Sequence, residues 1–141
     1  MPSDPALVAE TKSWLAKAAS DLAAGAHDLR AEPPFLAEVV FHAQQAVEKT
    51  LKGFLTFHGR IFRKTHNLVE LGGASSAIAP ALDALLAKAA PLTEFAWKFR
   101  YPGETEQPSL NEARDALAVA EKVFGEVTAL LPDEARPAKD R

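Results

Sequence analysis

Apolar residues in this chain return every three, four or seven positions over long stretches and nowhere follow the alternating period of a strand, which restricts it to helices. Leu7, Trp14, Leu15, Ala18, Leu22 and Leu29 share one face of a first helix. Asp4-Pro5 opens that helix, with aspartate at the N-cap and proline at the first helical position, where its missing N–H costs nothing. It ends near Leu29 or Arg30, before Glu32-Pro33-Pro34. A second helix is predicted from Pro34 to Phe57, with Gly59 as its stop and Phe35, Val39, Ala43, Ala46, Val47, Leu51, Phe54 and Leu55 as its apolar stripe. Helices of this length reach roughly 35 Å at ~1.5 Å per residue. In a chain of 141 residues, that length implies a bundle.

A basic loop, GRIFRK, leads to THNLVEL, where Thr65 is expected to cap a short third helix that Gly72-Gly73 closes. Ala77 to Phe99 is helical in composition, but Pro91 has no amide proton to bond into the preceding turn, so a kink or break is expected there. Tyr101-Pro102-Gly103 ends the segment. Ser109 and Glu112 have the spacing of a capping box, followed at helical intervals by Leu110, Ala113, Leu117, Ala120, Phe124, Val127 and Leu131. The expected fold is all-α, an antiparallel up-and-down bundle of four to five helices. It forms a single domain over residues 1–131, and residues 132–141, rich in proline and charge, are expected to be a disordered tail.

The chain is 48% hydrophobic and 25% charged, close to an ordinary globular protein, with a formal charge of −3. That charge excludes a uniformly basic nucleic-acid binder but leaves room for a local patch. Without cysteine there is no disulfide framework, thiolate metal site or thiol catalysis. The start, MPSDPALVAE, lacks the basic and apolar regions of a signal peptide, and charges interrupt every apolar stretch before the ~18 residues that would span a bilayer. A cytoplasmic location with no membrane contact is therefore expected.

FHAQQAVEKTLKGFL, from Phe41 to Leu55, combines an apolar stripe with polar residues. His42, Gln45, Lys49 and Lys52 fall on one edge, with Gln44 and Glu48 along another. Glu48 and Lys52 are spaced for an i,i+4 ion pair, worth a few tenths of a kcal/mol on a solvated face. This stretch, then KTHNLVEL, then FRYPGE, in that order and separation, closely resembles the HEPN domain family, with similarity from about Trp14 to Phe124. The resemblance implies a helical bundle that pairs into a homodimer. It also implies work on nucleotides or RNA beside a small nucleotidyltransferase, in some cases as a toxin–antitoxin pair.

Active members of the family are metal-independent ribonucleases that carry an arginine, a polar residue directly after it, and a histidine after a gap of four to six. Arg60 and His66 have that separation, but Ile61 follows the arginine. Arg100, in Phe99-Arg100-Tyr101-Pro102, occupies the more comparable place, with no histidine downstream. The motif reads as absent or rearranged, and Arg60 with His66, or Arg100 with a histidine brought near by folding, are the catalytic candidates. Histidine suits proton transfer from a ribose 2′-hydroxyl, and arginine suits a charged phosphorane.

From Glu48 to His66, five cations (Lys49, Lys52, Arg60, Arg63 and Lys64) face one acid, a local excess of four that leaves −7 for the rest of the chain. Such segregation attracts phosphates, unless acids on neighbouring helices compensate the cations. Lys49, Lys52, Arg63, Lys64, His66, Arg100 and Tyr101 are the candidate nucleotide- or RNA-binding residues, on the expectation that the loop after Gly59 packs near the Phe99-to-Gly103 bend. Of Trp97, Phe99 and Tyr101, two are expected in the core, with Tyr101 exposed for base stacking. The histidine spacing offers no metal motif, and no cofactor is expected. The leading reading is a phosphate-binding partner subunit of a small nucleotidyltransferase. The alternatives are a ribonuclease toxin and a non-catalytic dimerisation or docking bundle.

Overall fold

The computed structural model describes residues 3–103 and 106–137. Among these the chain is entirely helical: α1 (Pro5–Arg30), α2 (Leu36–Phe57), α3 (Leu68–Ile78), α4 (Asp83–Ala89) and α5 (Leu110–Ala129), with 3-10 turns at Pro80–Leu82, Ala90–Ala96 and Asp133–Ala135. The helices pack as the expected antiparallel bundle. Central α2 packs most extensively against α1, next against α5, and more lightly against α3.

Three boundaries follow directly from local chemistry. Asp4 accepts from the Ala6 amide at the start of α1. Ser109 and Glu112 form a reciprocal capping box at α5. The α4 helix gives way to a 3-10 turn at Ala90, just ahead of Pro91, where the missing amide proton interrupts α-type bonding.

Other boundaries differ from the sequence reading. The α2 helix starts at Leu36 rather than Pro34, which leaves Phe35 at the N-cap and exposed instead of in the apolar stripe. Asn67, not Thr65, caps α3 by accepting from the amides of Val69 and Glu70. Thr65 Oγ1 is occupied with the Asn67 amide, a local turn that shifts the cap by two residues. Gly72 and Gly73 do not close α3 but lie inside it, with Gly72 buried against Leu86 of α4. Tertiary packing there outweighs glycine's low helix propensity. Finally, the tail expected to be disordered over residues 132–141 begins with a turn at Asp133–Ala135 packed on α1, and residues 138–141 lie outside the described residues. Ala135 is buried, and the Arg136 guanidinium donates to the Leu131 and Ala129 carbonyls, which ties this stretch to the end of α5.

Two glycines shape α2. A Cβ at Gly53 would meet the Trp14 Cβ at 3.1 Å, so the close α1–α2 approach favours a residue with no side chain. Gly59 ends the helical course with φ +67°, and the Arg60 amide then bonds back to the Leu55 carbonyl. The chain next returns antiparallel along α2. Phe62 sets its ring edge-on to Trp14, and further on the His66 carbonyl accepts from Gln44.

Candidate functional site

Glu48 is the centre of the polar dressing of α2. It faces inward with 4% of its surface exposed, beside Lys52 at 7% and Gln44 at 0%. These residues are a buried network, not the solvated edge expected from the sequence. Lys52 Nζ donates to Glu48 Oε2 at 2.9 Å, and Gln44 Nε2 donates to Glu48 Oε1 at 3.1 Å. Gln45 Nε2 donates in turn to Gln44 Oε1 at 2.7 Å, and the Lys52 ammonium lies 5.5 Å from the Trp14 ring centre. Burial by itself raises the Glu48 carboxyl. The hydrogen bonds from Lys52, His66 and Gln44 outweigh it, so the group sits below its ordinary value and is ionised at neutral pH.

His66 completes the cluster from the returning loop, its Nδ1 2.7 Å from Glu48 Oε1. An ionised carboxylate can only accept, so Nδ1 carries the proton and donates it. The His66 side chain is nonetheless 64% exposed, and Nε2 makes no hydrogen bond among the described residues. An accessible imidazole oriented through its other nitrogen by a buried carboxylate is the arrangement a proton-transfer histidine requires.

Arg100 reaches the same stripe from the other direction. Its guanidinium lies over the Phe41 ring, 3.6 Å from the centroid, and has no carboxylate partner among the described residues. Phe41 seats Arg100, and Gln44 and Glu48, which hold the His66 carbonyl and imidazole, lie three and seven positions further along α2, rises of about 4.5 and 10.5 Å. Folding thus brings His66 and Arg100 to neighbouring turns of α2, although 33 positions separate them in the chain.

The remaining candidates divide differently. Lys49 Nζ donates to Asp21 Oδ2 of α1 at 2.7 Å, and Asp21 Oδ1 also holds His42 Nδ1 at 2.9 Å. Arg63 Nε donates to both Glu70 oxygens at 2.7 and 3.0 Å in an exposed pair. With Lys52 on Glu48, three of the five clustered cations are compensated by acids, so the expected unbalanced patch does not form around them. Arg60 and Lys64 are exposed, with no carboxylate partner among the described residues. The Arg60 amide is bonded at the level of Leu55, about 21 Å along α2 from Phe41. The basic loop therefore does not bring Arg60 to the part of α2 that Arg100 approaches; only its His66 end runs toward it. Tyr101 is exposed (64%), and so is Trp97, while Phe99 packs against the core. Only one of the three aromatics fills the interior, not two, because the chain turns sharply at Phe99, where φ is +69°.

Two residues that position the candidate site are not marked by the sequence. Asp21 was one acid among many, although its place between Ala18 and Gly25, both buried, sets it on the inner face of α1. Phe41 read as part of an amphipathic helix, and nothing local marks it as the seat of Arg100. Among the described residues no group of three or more His, Cys, Asp or Glu is arranged to hold a metal, and no helix is long and apolar enough to cross a membrane.

A family model described as HEPN domain matches residues 11–130, which include every residue of this site. No curated protein and no solved structure matches the chain.

Proposed function

This chain belongs to the HEPN domain family, and from that premise we propose that it binds the phosphates of RNA or nucleotides on the α2 stripe shared by His66 and Arg100. It acts as a cytoplasmic, homodimeric partner of a small nucleotidyltransferase, in the manner of a toxin–antitoxin pair. The observation that carries this reading is that a guanidinium with no carboxylate partner among the described residues and an exposed, carboxylate-oriented imidazole are seated within about two turns of each other on α2. Arg100 supplies charge and paired donors suited to phosphate oxygens, and His66 Nε2 remains open to a ligand. Lys64 adds long-range attraction, while Lys49, Lys52 and Arg63 add little because Asp21, Glu48 and Glu70 neutralise them.

The test is fluorescence anisotropy with single-stranded RNA over a salt series, for wild type and Arg100→Ala. Loss of one phosphate contact weakens binding across sequences and lowers the log–log salt slope by about 0.7. Unchanged affinity and slope would remove Arg100 from the site.

A second reading, ribonuclease activity, is favoured by the His66–Glu48 bond. In it, Nε2 takes the ribose 2′-hydroxyl proton as that oxygen attacks the adjacent phosphorus, and Arg100 pairs with the non-bridging oxygens. The bond to the 5′-oxygen breaks, leaving a 2′,3′-cyclic phosphate, and the proton returns to the leaving oxygen through solvent. RNA cleavage that persists in chelator and disappears in His66→Ala supports this reading; intact RNA with the wild-type protein contradicts it.

A further inference from the structure

Next to Arg100 the surface opens into a cleft of about 350 Å³ between the start of α2 and the chain on either side of the Tyr101-Pro102-Gly103 turn. Phe35 and Phe99 contribute aromatic surface to its lining, Pro34 and Ala37 add apolar surface, and Glu38 and Gln107 supply polar groups. Phe35 leaves 57% of its surface exposed at this cleft. Phe99 is held there by a left-handed backbone, φ +69°, which a bulky residue adopts only at a cost. Its ring stacks on Phe95 with centroids 6.2 Å apart and an interplanar angle of 25°.

The geometry points to this cleft as a nucleobase pocket, which takes the base of the nucleotide whose phosphate lies on Arg100. The inference rests on the phosphate-binding role of Arg100 given above. Two aromatic side chains beside an amide and a carboxylate match the chemistry of a base, which has an apolar π-face and a hydrogen-bonding edge. The spacing also agrees. Ala37 in the cleft wall and Phe41 under Arg100 are four apart on α2, about 6 Å along its axis and on one face, a separation that a single nucleotide spans from base to phosphate. Gln44, holding His66, continues the same line. A strand laid along α2 would therefore meet base pocket, guanidinium and imidazole in order, which requires an unpaired base and selects single-stranded over duplex RNA.

The experiment is a chemical-shift titration of isotope-labelled full-length protein with adenosine 5′-monophosphate and, separately, ribose 5-phosphate, on wild type, Phe35→Ala and Gln107→Ala. Both substituted residues are exposed, so the variants retain the fold. The expected result is that the nucleotide binds wild type roughly five- to hundred-fold more tightly than the sugar phosphate, the range that stacking on an aromatic side chain supplies. Phe35→Ala removes most of that difference and leaves ribose 5-phosphate binding unchanged, and Gln107→Ala reduces it. Equal affinity of the two ligands for wild type, or a base preference that survives Phe35→Ala, overturns the pocket while leaving the Arg100 phosphate site standing. If neither ligand binds and RNA anisotropy is also flat, the phosphate-binding reading fails and the pocket with it.

Discussion

Replacing Glu48 with Gln tests the network at its centre. The carboxylate is almost wholly buried and accepts three hydrogen bonds, from Lys52, His66 and Gln44. An amide of the same shape keeps one acceptor oxygen and turns an NH2 donor toward either the Lys52 ammonium or the His66 and Gln44 donors. Removing one member of a buried ion pair costs about 3–5 kcal/mol when the other charge is stranded. Here the stranding is incomplete, because the Lys52 ammonium keeps its position by the Trp14 ring and its flexible stem lets it reach toward water. We expect a net loss of about 2–3 kcal/mol at pH 7.

Urea denaturation reads this loss as a midpoint lowered by roughly 1–1.5 M at an unchanged slope, for a slope near 2 kcal/mol/M. The pH dependence supplies a second check. Because the folded-state Glu48 carboxyl lies below its ordinary value, its stabilisation is complete above the unfolded value near 4.5 and is lost as pH falls through the folded value. The wild-type and Glu48→Gln curves should therefore converge in acid. A loss under about 0.5 kcal/mol at pH 7, the range of ordinary surface substitutions, or a gap that widens on acidification, refutes the buried network.

Ser109→Ala removes the capping-box acceptor at α5 and should cost about 1 kcal/mol, read as a fall in melting temperature of roughly 3–5 °C. Arg63→Ala, which breaks an exposed pair, should leave the urea midpoint unchanged, in contrast to Glu48→Gln. His58 is held below its ordinary value by burial and by nearby Arg60, so its ring resonances should titrate below those of a free histidine. The neutral ring is the form the fold favours, and this contribution to stability, present above pH ~6.5, declines as pH falls toward the folded value.

How much the sequence revealed depends on the range of the interaction that decides each feature. The starts of α1 and α5 are set by Asp4 and Ser109 within three residues of themselves, and both were legible. So was the break before Pro91, where a missing amide proton acts within a single turn. Phe35, Thr65 and Gly72 were misplaced because competing local turns or packing from a distant helix outweigh the nearest-neighbour signal.

The site depends on such distant partners almost throughout. Lys49 reads as a surface cation until α1 delivers Asp21, and Glu48 as half of a wet i,i+4 pair until the returning loop covers it with His66. That α2 is nearly surrounded by α1, α3 and α5 decides which of its polar residues are buried, and the interval of one helix carries no record of its neighbours. His66 and Arg100 were both singled out from family-like motifs. Their proximity comes from the antiparallel return along α2, which no spacing in the chain encodes.

The most direct test of this account is a double-mutant cycle on RNA affinity with His66→Ala, Arg100→Ala and the combined variant, measured in chelator at fixed low salt. If both side chains serve one phosphate site, the combined loss falls short of the sum of the single losses by at least about 0.5 kcal/mol. Strict additivity, with each variant weakening binding independently, would place the two residues in separate sites and contradict it.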